Sequence, residues 1–109
     1  MSKYGNEPIV IDGVRFQSKK EAHRWQELRL LERAGEISVL QRQVPYVVCE
    51  KCTTRTGKTQ AARKYIADFV YKDKQGRTVV EDAKGYRTDV YKLKKALMLW
   101  LHGIEIKEV

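Results

Sequence analysis

The amino-acid sequence predicts one α/β domain, and three features of the sequence support this. Two segments rich in β-branched and aromatic residues, 65–71 and 78–85, flank a Gly-containing turn and are typical of a β-hairpin. Two further segments, which begin at Ser18 and Thr88, repeat apolar residues with helical spacing. The length of 109 residues suits a single domain, 1–109, with a modest core.

The composition favours a nucleic-acid partner. Hydrophobic residues at 42% and charged residues at 33% fit a globular protein, and no apolar run approaches the roughly 20 residues of a membrane span. The net charge of +8 favours a polyanion, although a surplus that only promotes solubility is the alternative. Clustering of the basic residues favours nucleic acid. The candidate contact residues are Arg55, Lys58, Arg63 and Lys64 in one segment, and Tyr91, Lys92 and Lys95 in another.

The chain begins with a polar segment, 1–7, that we expect to be mobile. Residues 9–16 are then predicted to form a short hairpin, with a two-residue turn at Asp12 and Gly13. We assign no chemistry to this hairpin, which is expected to cover one end of the core.

The first helix is predicted to start after Ser18, because Ser18 and Glu21 match the capping box. Its buried stripe is predicted to consist of Trp25, Leu28, Leu31 and Ala34, with Gly35 at its end. Glu21 falls on this stripe and is either a capping carboxylate or part of a functional site. Arg24 is predicted to lie on the solvated face.

The middle of the chain is predicted to contain a connection, 36–43, and a strand, 44–49. Cys49 and Cys52 are best explained as incidental thiols, because a structural zinc site needs four ligands and there is no second Cys pair. A zinc ion or disulfide shared between subunits is the alternative. Residues 53–62 are predicted to form a basic hairpin tip.

The second helix is predicted to follow Thr88, with Gly103 at its C-terminal end. Its core stripe is predicted to consist of Val90, Leu93, Leu97, Trp100 and Leu101. The alternating residues 104–109 then predict a final strand.

Charged residues inside the two central strands point to a site. Asp68 lies in the first strand, whereas Asp82 and Lys84 lie two apart in the second, so Asp82 and Lys84 share a face. Strands are depleted in Asp because a half-buried carboxylate is costly without a partner. The alternative is an ion pair between Asp82 and Lys84 on an exposed sheet edge, worth about 0.2–1 kcal/mol. That alternative leaves Asp68 unexplained, so we predict a cation-binding site.

An Asp on one strand followed by Asp-x-Lys on the next resembles the PD-(D/E)xK nuclease superfamily. The wider pattern is similar to a family of small phage-encoded nucleases, some of which resolve Holliday junctions. Ala67 stands where the superfamily name has Pro. The resemblance spans nearly the whole chain except 49–60. It implies a restriction-endonuclease-like core in the order α-β-β-β-α-β, with a mixed sheet flanked by two helices. The matching segments are 10–22, 65–69, 79–85 and 91–95.

The resemblance also implies a chemistry. Asp68, Asp82 and the backbone carbonyl of Ala83 are expected to bind Mg²⁺ or Mn²⁺, because hard cations prefer oxygen ligands. Glu21 is expected to support the catalytic site, either through a second metal ion or through a bound water. Lys84 is expected to hold the attacking water and to neutralise developing charge. No small-molecule cofactor is expected.

The expected function is that of a metal-dependent endodeoxyribonuclease that acts on branched DNA in phage recombination. Resolution of a four-way junction needs two symmetric cuts, so a homodimer is expected. The amino terminus lacks an apolar signal region, which predicts the cytoplasm of the host cell. The alternative function is a basic nucleic-acid-binding module with the same fold and no catalysis, and an RNase activity also stays open.

Overall fold

The computed structural model describes residues 9–83 and 87–109. The mobility expected for 1–7 and the predicted catalytic residue Lys84 therefore lie outside the described residues. In chain order the elements are β1 (Ile9–Ile11), β2 (Val14–Phe16), α1 (Lys19–Arg33), β3 (Ser38–Cys49), β4 (Cys52–Thr53), β5 (Thr59–Gln60), β6 (Arg63–Lys72), β7 (Thr78–Asp82), α2 (Asp89–His102) and β8 (Lys107–Glu108).

The central sheet has four strands in the order β3-β6-β7-β8. β6 pairs antiparallel with both β3 and β7, and β7 pairs parallel with β8, so the sheet is mixed. With its two helices, the protein has a mixed α/β architecture, as predicted. Within the described residues no helix is long and apolar enough to cross a membrane.

The sheet carries a hydrophobic cluster on each face. The cluster on the α1 side contains Phe16, Ala22, Leu28, Ile37, Phe69, Tyr71 and Ala83. The cluster on the α2 side contains Val48, Tyr65, Ala67, Val70, Val80, Tyr91, Met98 and Ile106. The neighbouring residues Val79 and Val80 pack in different clusters, as successive residues of a strand should. The two faces of β7 are therefore both enclosed.

The predicted starts of the first hairpin and both helices are confirmed. β1 and β2 pair antiparallel around Asp12 and Gly13, whose positive φ angles of 51° and 79° suit a two-residue hairpin turn. The side chains of Ser18 and Thr88 accept hydrogen bonds from the backbone amides three residues further on, which caps both helices.

The predicted core stripe of α2 is wrong except at Leu97, which is partly buried against the α2 cluster. Tyr91 and Met98 are the buried residues of this helix, whereas Leu93 is 61% exposed and Trp100 is 79% exposed. Both faces of the helix are apolar, so periodicity alone does not select the buried one. The Tyr91 face is buried because its ring contacts Tyr65, with centroids 6.4 Å apart, and its hydroxyl donates to Glu108 Oε2 at 2.7 Å.

The predicted buried stripe of α1 is wrong at its C-terminal end, where Leu31 and Ala34 are exposed. Two predicted strand boundaries also need correction. β3 starts at Ser38 and not at Val44, because the segment predicted as a connection pairs with β6 from Ser38 onward. Positive φ angles at Val39 and Gln43 interrupt the regular alternation there and hide the strand signal. The final strand is limited to Lys107–Glu108, shorter than the predicted 104–109. The basic hairpin tip is present as the short β4–β5 pair.

Candidate functional site

The two central strands bring Asp68 and Asp82 together. Phe69 pairs with Glu81 in the β6–β7 register, so Asp68 and Asp82 occupy the next position along the two strands. Both carboxylates are buried, with 5% and 1% of each residue exposed. Asp68 Oδ2 accepts a hydrogen bond from the Ala83 amide at 2.8 Å. The site therefore lies at the end of β7, directly before the residues that include Lys84.

Tyr65 holds the carboxylate of Asp82. Its hydroxyl donates to Asp82 Oδ2 at 2.6 Å, the short distance that is typical of an O–H donor to a carboxylate. Burial and this hydrogen bond raise the pKa of the Tyr65 phenol well above its usual value, so Tyr65 stays a neutral donor. The local sequence pattern does not predict Tyr65 as a site residue, because its contact with Asp82 depends on the pairing between β6 and β7.

Gln43 lies opposite Asp68, between the paired residues Arg42–Phe69 and Val44–Ala67 of β3 and β6. It has a φ of 52°, and its Nε2 lies 3.4 Å from Asp68 Oδ1. At this point β6 changes the face on which its odd-numbered residues pack. Ala67 belongs to the α2 cluster, whereas Phe69 belongs to the α1 cluster. The irregularity therefore lies at Asp68 itself, which is where strand irregularities commonly re-aim a functional side chain.

Glu81, next to Asp82, belongs to a separate network on the other face of β7. It is fully buried, and its two carboxylate oxygens accept from Arg24 Nε and Nη2, both at 2.7 Å. The hydroxyl of Tyr71 also donates to Glu81. The bond to Glu81 raises the pKa of Arg24, and burial, followed by the Glu81 bond, raises the pKa of Tyr71. Arg24 is thus a structural ion-pair partner, which corrects its predicted place on the solvated face.

Glu21 is buried on the first turn of α1. Its amide donates to Ser18 Oγ at 3.2 Å, as the capping box predicts, and its Oε1 lies 3.4 Å from Arg42 Nη2. Arg42 also donates from Nη2 to the Arg15 carbonyl at 3.1 Å, and its guanidinium lies 4.4 Å from the ring centroid of Phe16. The structure therefore places the Glu21 carboxylate next to the guanidinium of Arg42 on β3.

The described residues place two carboxylates at the site. Across 9–83 and 87–109, no three acidic, His or Cys side chains form a group that could hold a metal ion, so Glu21 does not join Asp68 and Asp82 there. Two carboxylates and a backbone carbonyl nevertheless fit Mg²⁺, because this ion commonly uses one or two carboxylates and keeps several waters. The donor set of Asp68, Asp82 and Ala83 is consistent with a hard cation.

The predicted nucleic-acid contacts are partly on the surface. The side chains of Arg55, Lys58, Arg63, Lys64 and Lys92 are exposed. Arg55 and Lys58 lie between or next to the strands of the small β4–β5 hairpin. Tyr91 is buried in the α2 cluster, which corrects its predicted contact role because little of it reaches the surface.

Lys95 takes part in a cluster around Glu108. Its Nζ lies 3.3 Å from Glu108 Oε2, which also receives Arg87 Nε at 2.8 Å and the Tyr91 hydroxyl. The bond from Tyr91, then those from Arg87 and Lys95, lower the pKa of Glu108 to about 2. This cluster fastens β8 to α2 and to the segment that enters it.

The fold and the site define an α/β protein with a mixed sheet and two buried carboxylates on adjacent central strands, Asp68 within β6 and Asp82 at the end of β7. A family model described as "Protein of unknown function (DUF1064)" matches residues 1–106, and the chain belongs to that family. Comparisons with curated proteins and with solved structures found no match.

Proposed function

We propose that the protein is a metal-dependent endonuclease that hydrolyses phosphodiester bonds in DNA, with selectivity for branched DNA during phage recombination. The observation that carries this proposal is the pair of buried carboxylates, Asp68 and Asp82, on adjacent central strands. Burial of two like charges side by side is expensive, because each carboxylate loses hydration and repels the other. A bound divalent cation offsets both costs, which makes cation binding the best explanation of the pair.

The element order supports a nuclease fold. With the two small hairpins set aside, the order is α1, β3, β6, β7, α2 and β8, and this succession supports the proposal of a restriction-endonuclease-like core. β8 returns after α2 to pair parallel with β7. In this arrangement Asp68 lies on the second core strand and Asp82 on the third, as the PD-(D/E)xK pattern requires.

Each residue of the site has an assigned role in this proposal. Asp68, Asp82 and the Ala83 carbonyl would hold Mg²⁺ or Mn²⁺, which supplies an activated water and relieves charge on the scissile phosphate. Tyr65 fixes the orientation of Asp82 through its hydroxyl. Lys84 is proposed to neutralise negative charge that develops on the phosphate. Glu21 is proposed to support the site through its position on α1.

The charge distribution supports DNA as the substrate. The net charge is +8, and the basic side chains of the β4–β5 hairpin are exposed. Positive surface charge attracts the phosphate backbone without regard to sequence. This suits an enzyme that selects DNA by its branched shape.

A cleavage panel tests the proposal. Linear, nicked, flapped and four-way DNA are incubated with the protein in Mg²⁺, in Mn²⁺ and with a chelator. We expect cleavage of branched substrates with either metal and none with the chelator. Asp68→Asn should abolish cleavage while DNA binding is kept, and the exposed Glu105→Gln is the control for loss of one negative charge.

The panel also identifies the alternative function. Tight binding of the panel DNAs without cleavage under any metal condition would contradict the nuclease and support the basic binding module. Metal-dependent cleavage of RNA but not of DNA would contradict DNA as the substrate. It would still support the proposed site for phosphodiester hydrolysis. Cleavage by Asp68→Asn at the wild-type rate would remove Asp68 from the site.

A further inference from the structure

The outer face of α2 is strongly apolar and exposed. Tyr91 and Met98 mark its buried side, and Leu93, Ala96 and Trp100 lie roughly opposite them on the helix, at about 100° per residue. Leu97 lies between the two sides and is partly buried against the α2 cluster. Trp100 is 79% exposed and Leu93 is 61% exposed. Val90 and Leu101 extend the apolar surface along one edge, and both are exposed. A patch of this kind is typical of a protein interface.

The outer face has a two-fold pattern. Leu93 and Trp100 are the two large side chains of this face, and the small Ala96 lies between them. An antiparallel copy of α2, related by a two-fold axis between Ala96 and Leu97, would therefore place Leu93 of each chain against Trp100 of the other. Ala96 lies at the centre, where a small side chain allows two helices to approach closely. The face is thus complementary to itself, which is what a two-fold interface requires.

The edges of the face fit the same arrangement. On one edge, the two-fold axis brings Val90 of each chain near Leu101 of the other, so these two apolar residues cover each other. On the other edge, Lys92 of each chain faces the C-terminal turn of the other helix. A cation is favoured there by the helix dipole, and two antiparallel helices also align their dipoles favourably. A second copy of α2 therefore covers the apolar residues of one edge and places a favourable charge opposite Lys92 on the other.

We propose that the protein forms a two-fold dimer in which the outer faces of the two α2 helices pack antiparallel, with Leu93 against Trp100. This proposal does not depend on the nuclease activity. α2 has 14 residues and a length of about 21 Å, so the contact is at the small end of specific interfaces. We therefore expect a dissociation constant in the micromolar range.

Sedimentation equilibrium of the full chain tests the proposal. The concentration runs from about 1 to about 200 µM, which brackets the dissociation constant expected for so small an interface. The wild type should pass from monomer to dimer. Leu93→Glu should weaken association at least about tenfold, because it places a charge against an apolar ring. Leu30→Glu is the matched control, since Leu30 on α1 is 64% exposed, close to the 61% of Leu93. Circular dichroism and thermal melting should show that both variants are folded.

A charge exchange tests the antiparallel register. Leu93→Glu and Trp100→Lys should each be monomeric alone. Mixed together they should form a heterodimer, because one contact then joins Glu to Lys and the other keeps the native Leu and Trp. A wild type that stays monomeric throughout the range would refute the dimer. Equal loss of association in Leu30→Glu would refute the assigned face, and a mixture that stays monomeric would refute the register.

Discussion

Two neighbouring residues of β7 illustrate opposite uses of a buried carboxylate. Glu81 faces α1 and is bound through both of its oxygens by Arg24, with Tyr71 as a further donor. Asp82 faces the other side, where a neutral hydroxyl from Tyr65 donates to one of its oxygens. A carboxylate bound in a fork by arginine is suited to holding two elements together. The pair of adjacent carboxylates, Asp68 and Asp82, is the one that we propose binds a cation.

The sharpest test of this difference is Asp82→Asn. The amide keeps an oxygen that accepts from Tyr65 and removes the negative charge, so the fold should persist while cleavage of branched DNA falls below detection. Cleavage rates and urea unfolding are measured on the same preparation. An unfolded variant would show that Asp82, like Glu81, is structural, and an active variant would remove it from the site.

Glu81→Ala should have the opposite effect. It leaves Arg24 largely buried without its partner, so the free energy of unfolding should fall by about 3 kcal/mol. Cleavage per folded molecule should be kept. The double variant Arg24→Met with Glu81→Leu is the control, because apolar replacement of a whole buried pair often restores stability. A double variant no more stable than the single one would contradict this account of the pair.

Tyr65→Phe separates positioning from packing. The change removes one hydroxyl that donates to a buried carboxylate, which should lower the free energy of unfolding by about 2 kcal/mol. Tyr71→Phe is a matched control, since the Tyr71 hydroxyl donates to Glu81 on the other face. If Tyr65 positions Asp82, only Tyr65→Phe should shift the Mg²⁺ concentration that gives half-maximal cleavage. An equal shift in both variants would assign the effect to stability alone.

The smallest expected effect concerns acid pH. The pKa of Glu108 is lowered to about 2 in the folded protein, so its ionised form contributes stability above the unfolded pKa of about 4.3. This contribution should be lost as the pH falls from about 4.5 to about 2. Urea unfolding of wild type and Glu108→Gln should therefore differ at pH 6 and converge near pH 2. A constant difference across this range would contradict the role of charge at Glu108.

The sequence predicted the features that depend on neighbouring residues. The cap at Ser18, the turn at Gly13 and the two central strands each have a local signature, and the structure has them all. Features that depend on distant partners were missed. Arg24 and Glu81 are 57 positions apart, so no local pattern joins them.

The errors have physical causes as well. α2 is apolar on two faces, and the choice of Tyr91 over Leu93 depends on Tyr65 and Glu108, which lie elsewhere in the chain. The start of β3 was hidden by backbone angles at Val39 and Gln43 that non-glycine residues seldom adopt. The pairing of Asp68 with Asp82 could be anticipated, because both lie in recognisable strands joined by a short turn.

The hydrogen bond from the Ala83 amide to Asp68 has a practical consequence for mutagenesis. The Ala83 amide donates to a side-chain oxygen of Asp68 and not to a backbone carbonyl of the neighbouring strand. Asp68 therefore supplies the last hydrogen bond between β6 and the end of β7. Truncation to alanine would let that end fray, and the Ala83 amide would exchange its hydrogen with solvent faster. A loss of activity in Asp68→Ala could then come either from the missing carboxylate or from local unfolding at the end of β7. Asp68→Asn keeps an oxygen that can accept from the Ala83 amide, so it tests the loss of the negative charge alone.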